Sequence, residues 1–312
     1  MVDRGTARKA TTRRRASSRS SNEGKGLTVH RFAGVALGGG KTERTAVAVL
    51  EYYPESRRVF LRALRDRLKG EGDVSSDEVL HHLLTVEEVG LETIAFDAPL
   101  QLPKCIRCDL VCPGFEACRL PEIRWLWNEH EAREKKKRPN KVFTPYTERC
   151  AEVAIANHLE EPFHPPHALG ANAAPLAART HFLARRITGK RIYNPAKPET
   201  TDPELIEVFP KLSVWRIGRD LKVPKSHLRF HRHAVDSDEA RHYFLKQLMD
   251  REIAFIYQQD LKTLIESPQA FDAFVSALTA FLKYRQQTVP RPPGFPKDEI
   301  WIEFPQEEID WF

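Results

Sequence analysis

Apolar positions fall into short runs in the first third of the chain and into helical stripes afterwards. Val29 to Leu37 (VHRFAGVAL) is an apolar run ending in Gly38-Gly39-Gly40. Thr45 to Tyr52 and Val59 to Leu64 follow, rich in β-branched and apolar residues and separated by a turn centred on Pro54. Three short strands with tight connections predict an antiparallel meander. Ser75-x-x-Glu78 is a capping box, and Val79, Leu80, Leu83 and Leu84 form a helical stripe behind it. A buried strand is expected from Thr93 to Phe96, ending at Asp97. Residues 119–160 read as mainly helical, interrupted by the charge run EHEAREKKKRPNK, which reads as a solvated face or as the lining of a substrate groove. A Pro/Gly-rich loop (161–175) and a helix to about Ile187 come next, then a buried strand, Leu205 to Phe209, stopped by Pro210. Ser267-Pro268 starts a strongly apolar helix that runs through Tyr284, and the terminal IWIEF alternates like a short strand. Meander, helix, then further strands and helices imply an α/β fold with a mixed sheet flanked by helices.

Charge changes this picture only at the N-terminus. The chain has 49 Lys/Arg against 43 Asp/Glu, a net charge of +6. Residues 1–26 alone carry eight of the former and two of the latter, leaving 41 of each sign beyond them. The basic character therefore belongs to a Ser/Thr/Arg-rich tail, residues 1–27, expected to be disordered and able to hold a phosphate backbone without specificity. Residues 28–312 are expected to form one domain. The N-terminus lacks the apolar core of a signal peptide, and no stretch approaches the roughly 20 apolar residues of a membrane helix. A cytoplasmic protein with no membrane partner is the expectation.

Four of the five cysteines, Cys105, Cys108, Cys112 and Cys118, lie in KCIRCDLVCPGFEAC, spaced C-x2-C-x3-C-x5-C. In a reducing compartment this density points to metal rather than disulfides. Structural zinc usually draws paired knuckles from separated segments; four cysteines in one loop, with Pro113 after Cys112, lean towards a 4Fe–4S cluster, and Zn2+ stays open. Cys150 reads as an ordinary buried thiol.

Three carboxylates stand in apolar surroundings: Asp97 at a strand end, Glu207 inside LIEVFP, and Asp272 in the first turn of FDAFVSALTAF. Carboxylates gathered at one sheet edge are what Mg2+ or Mn2+ requires, and such ions can activate water for phosphodiester cleavage. Each has a plainer reading: a turn organiser for Asp97, a solvent-facing edge residue for Glu207, a helix-dipole partner for Asp272.

The order GVALGGG, IAFDAPLQLP, IEVFPKLSVW and FDAFVSALTA resembles the family called domain of unknown function 429, over about Phe32 to Leu282. The resemblance implies an RNase H-like fold, with a cysteine-rich insertion after the fourth strand, and a predicted metal-dependent nuclease acting on DNA or RNA. Asp97, Glu207 and Asp272 then match the acidic positions. The departure is at Ala36, in Gly34-Val35-Ala36, where that family tends to carry an aspartate. Alanine cannot ligate a metal, so the expected nuclease is weakened at a central position. The alternative is a catalytically silent module that binds nucleic acid or protein, with a structural or redox-sensing cysteine cluster. Glu43, on a loop, is a poor substitute for a carboxylate fixed on a strand. Gly38-Gly39-Gly40-Lys41-Thr42 lacks phosphate-loop spacing and reads as a hairpin turn. His164, His167, His227, His231 and His233 show no metal-ligand spacing and read as surface residues.

Overall fold

The structure is a computed structural model that describes residues 28–39, 44–135, 144–158, 167–190, 203–230, 232 and 236–312. The basic tail, Glu43 of the glycine loop, and His164, His231 and His233 lie outside the described residues.

The meander forms as expected. β1 (His30–Ala36), β2 (Thr45–Tyr53) and β3 (Arg58–Leu68) pair antiparallel in turn. Ser75 caps α1 (Ser76–His82), its side chain accepting from the Glu78 N–H. β4 (Leu91–Phe96) then returns parallel to β1, and after α2 (Pro121–Lys135), α3 (Cys150–His158) and α4 (Ala174–Thr188) comes β5 (Glu204–Val208), parallel to β4. Pro210 opens α5 (Pro210–Asp220), which leads through α6 (Lys225–Phe230), α7 (Ser237–Asp250), β6 (Ala254–Phe255) and α8 (Gln258–Glu266) to α9 (Pro268–Tyr284). β7 (Ile302–Glu303) completes a seven-stranded sheet of order β6-β3-β2-β1-β4-β5-β7. The chain is thus α/β, with a mixed sheet covered by helices on both faces. No helix among the described residues is long and apolar enough to cross a membrane.

Strand alternation divides the buried apolar side chains of the sheet between two cores. Phe32 and Ala36 of β1, Ala95 of β4, and Ile206 and Val208 of β5 join the core under α5 and α9. Ala33, Val35, Ile94, Phe96 and Leu205 join the opposite core with Leu80 of α1 and Leu183 of α4. Central strands covered on both sides need no polar face, which is why VHRFAGVAL reads as an unbroken apolar run.

α9 is buried at every position from Ala270 to Leu282 because it crosses the middle of the sheet. Gly34 permits that approach. A Cβ there would stand 2.0 Å from the Ala273 carbonyl oxygen and 2.3 Å from the Ala277 nitrogen, both backbone. Gly34→Ala must therefore push the whole helix off the sheet. We expect a loss of about 3 kcal/mol or more, the upper end for overpacking, read as a lowered denaturant midpoint. A loss under about 1 kcal/mol would mean that the helix gives way easily.

Candidate functional site

β1, β4 and β5 run parallel, so their carboxyl ends open on the same edge of the sheet, where ligands of open α/β sheets gather. A cleft of about 380 Å3 lies there, lined by Leu37, Gly38 and Gly39 after β1, Asp97 and Pro99 after β4, and Phe209 to Lys211 after β5. Asn172 and Ala173 before α4, and Gln269 and Asp272 of α9, close it, with Arg44 and Arg232 on its walls.

Asp97 is fixed by the edge of β1. Its N–H donates to the Val35 carbonyl (3.1 Å), and its Oδ1 accepts from the Leu37 N–H (2.8 Å). Since Val35 pairs with Phe96, the next position brings Ala36 beside Asp97 on the same face of the sheet. Asp272 reaches this face from α9. The helix begins at Ser267, whose side chain caps the Ala270 N–H, so Asp272 lies beyond the first turn rather than in it. The first turn expected from the sequence is corrected accordingly, and dipole stabilisation at the terminus loses its force as an account of this carboxylate. Its Oδ2 pairs with Arg232 at 2.5 Å.

Burial pushes the Asp97 carboxyl up to about 7; the Asp272 charge adds to the rise, while the Leu37 N–H and Arg232 oppose it. A carboxyl raised in this way binds its proton more tightly folded than unfolded. The unfolded chain ionises near the ordinary 3.8, so stability falls as pH rises from there to about 7. Asp97→Asn should therefore gain stability over the parent at pH 8, and the gain should shrink steadily towards pH 4, as thermal melts across that range would show. A pH-independent difference would remove the titration at Asp97 as its cause.

Glu207 is placed differently from the sequence expectation. It shares the face of Leu205 and Phe96, opposite to Asp97, because Ile206 and Val208 take the other side. There it meets Arg149, whose Nη1 and Nη2 donate to its two carboxylate oxygens at 2.7 and 2.6 Å, and the Leu100 N–H donates to Oε2 at 3.0 Å. The same guanidinium donates through Nε to Glu152 (2.7 Å). Burial opposes charge on both partners, but Arg149, His167 and the Ala168 N–H hold Glu152 below the usual carboxylate range, and the carboxylates hold Arg149 well above its ordinary value. Glu299, whose Oε1 accepts from the Cys150 N–H at 2.9 Å, is pushed by burial up to about 7. Glu207 thus does not join Asp97 and Asp272. It is part of a buried charge cluster that ties β5 to α3 and to the segment after β4.

The cysteines sit where the sequence puts them, between β4 and α2. Cys105, Cys108 and Cys118 are half-buried, and Cys112 is exposed. Burial, with Cys118, Cys112 and Cys108 nearby, pushes the Cys105 thiol up to about 11. Cys150 is buried, its thiol donating to the Glu122 carbonyl. Among the described residues, no three His, Cys, Asp or Glu side chains form a ready-made metal site. His167 contacts Glu152, and His227, half-buried in α6 rather than on the surface, meets the Tyr243 ring edge-on; neither lines the cleft.

Sequence reasoning passed over the cations. Arg149 and Glu152 have a legible i,i+3 spacing at a helix start, but the partner Glu207 is 58 residues away. Lys211 follows the E-V-F-P strand directly, and Arg232 sits inside the histidine run HLRFHRH. Arg44 follows the glycine loop.

The cleft suits an anion. Arg44, Lys211 and Arg232 contribute positive charge. The first turns of α4, α5 and α9 open onto it, each bringing the positive end of a helix dipole. No curated protein and no solved structure matches the chain. A family model described as "Protein of unknown function (DUF429)" matches residues 40–295, most of the chain and all of the cleft-forming elements after β1, and the chain belongs to this family.

Proposed function

We propose that the cleft is a phosphodiester site and that the protein is a metal-dependent nuclease of RNase H-like fold with a reduced acidic centre. The observation that carries the reading is the convergence of Asp97 and Asp272 with Arg44, Lys211 and Arg232 in one cleft at the carboxyl ends of β1, β4 and β5. The antiparallel meander β1–β3 followed by the parallel strands β4 and β5, in the order β3-β2-β1-β4-β5, supports the RNase H-like part of the reading.

Two-ion chemistry does not fit these residues: the β1 position is Ala36, and Glu207 is bound to Arg149. One hard ion does fit. Mg2+ is commonly held by one or two carboxylates, with water and substrate phosphate completing its shell, and Asp97 and Asp272 are two carboxylates whose mutual repulsion a cation would relieve. Such an ion would supply Lewis acidity at the phosphoryl oxygen.

The chain's own groups do the rest. Arg44 and Lys211 with the three helix N-termini hold and orient the phosphate. The Leu37 N–H fixes Asp97 Oδ1, and Asp97, its carboxyl raised by burial to about 7, must give up its proton before it could hold the ion. Arg232, exposed on its side chain, is the cation that would turn from Asp272 to the phosphate if Asp272 held an ion.

The test is cleavage of mixed DNA and RNA with Mg2+ or Mn2+. Activity lost by about 100-fold or more in Asp97→Asn supports the reading. The second reading, a silent binding module, is favoured by Ala36 and by the Arg232–Asp272 pair. Backbone binding that falls steeply with salt, without any cleavage, would select it.

A further inference from the structure

The segment from Lys104 to Leu120 joins β4 to α2 with one 3-10 turn, Lys104–Arg107, and not one of its residues is buried. Ile106 is 52% exposed, Leu110 65% and Val111 96%. Loops longer than about 12–15 residues without structure of their own are uncommon in compact domains, and ordering one must be offset by burial or cross-links. Burial supplies little here: Cys105, Cys108, Phe115 and Cys118 are half-buried, and the residues between them are exposed. The ends are pinned: Gln101 donates to the Asp298 carbonyl and accepts from the Ile300 N–H, both at 2.9 Å, and Lys104 lies 3.4 Å from the buried Glu122. Between those pins the segment carries Cys105, Cys108, Cys112 and Cys118, all free thiols, and turns at Gly114 with φ +89°.

We propose that Cys105, Cys108, Cys112 and Cys118 together bind one thiophilic metal centre, and that this centre is the core the segment otherwise lacks. Four ligands inside one turn-rich stretch can close around a single tetrahedral ion or a cubane cluster. Because no three of these thiols form a site in advance, the metal draws the loop together as it binds, coupling binding to local folding. Lys104, Arg107 and Arg119 stand in the same segment against Asp109 and Glu116, and Lys104 is taken by Glu122. The centre also bears on the cleft. Pro99 lines it, and the Leu100 N–H donates to Glu207, so the clamped loop begins where the cleft wall ends. The inference stands apart from the phosphodiester reading and survives its failure.

The experiment is elemental analysis and a visible spectrum of the full chain purified without air. About one zinc per colourless chain, or about four irons with broad visible absorption that bleaches in air, is expected, and the two results separate the metals. Cys105→Ser with Cys108→Ser should lower metal content roughly tenfold or more, while Cys150→Ala should keep it. Removing the metal should expose residues 104–120 to limited proteolysis while the core still melts cooperatively. Should the serine variant not fold, the parent chain decides. Less than about a tenth of an equivalent of metal in a cooperatively melting protein overturns the proposal. Disulfides by mass spectrometry, or alkylation of all four thiols at the rate of free cysteine, do the same.

Discussion

Arg149→Ala should destabilise the folded chain by about 3–5 kcal/mol, the effect of removing one partner from a buried charge pair. The guanidinium is 1% exposed and meets Glu207 and Glu152, exposed 4% and 2%. Without it, two ionised carboxylates remain in a low-dielectric interior, held by the Leu100 and Ala168 N–H groups, the backbone N–H of residue 149 and the partly exposed His167. Those carboxylates would take up protons, so the loss should be largest at alkaline pH and smaller near pH 5. Arg149→Lys should fall between, since an ammonium cannot reproduce the two-pronged contact with Glu207 while also reaching Glu152. Replacing Arg149, Glu152 and Glu207 together by apolar residues of similar volume should recover much of the loss. The measurement is denaturant unfolding at two pH values. A change below about 1 kcal/mol would show that water enters the cluster and screens it.

Ala36→Asp should have the second large effect, with opposite signs in stability and activity. Ala36 is wholly buried beside Asp97, on the face that α9 covers. A carboxylate there adds like charge to Asp97 and Asp272 in a dry position, so the metal-free variant should lose roughly 3 kcal/mol or more. The same three carboxylates form a far better cage for a divalent ion. Mg2+ or Mn2+ at about 100 times its dissociation constant should return about 2.7 kcal/mol, raising the melting temperature of the variant much more than that of the parent. Cleavage of nucleic acid should appear or rise by about 100-fold or more. Adding Asp97→Asn should cancel both gains. A folded Ala36→Asp chain that neither gains stability from metal nor cleaves would sink the nuclease reading and leave the cleft as a binding site. Because the parent retains only two carboxylates, its metal should bind weakly, and cleavage should rise with pH through about 7 as Asp97 loses its proton.

Local pattern determined most of the elements. The apolar runs became β1, β2, β4 and β5; Ser75-x-x-Glu78 became a true cap; and Pro210 ended one element and opened the next. These signals are short-range, written in residues that touch their own neighbours. The acidic positions were legible too, because a carboxylate in an apolar run is conspicuous at any distance. Their grouping was not. Period-two alternation sends Glu207 to the opposite face from Asp97, but which face becomes a cleft depends on where α9 and α4 pack. Arg149 and Glu207 read as unrelated charges until β5 and α3 are brought together, and only then do they neutralise one another. Arg44, Lys211 and Arg232 reach one cleft from three separate segments, and no spacing along the chain encodes that meeting. Strands, caps and the carboxylates and thiols available for chemistry are written in the order of residues, because each depends on near neighbours. Which carboxylates share a site and which are held by a buried arginine follows from strand pairing and helix packing between distant parts of the chain.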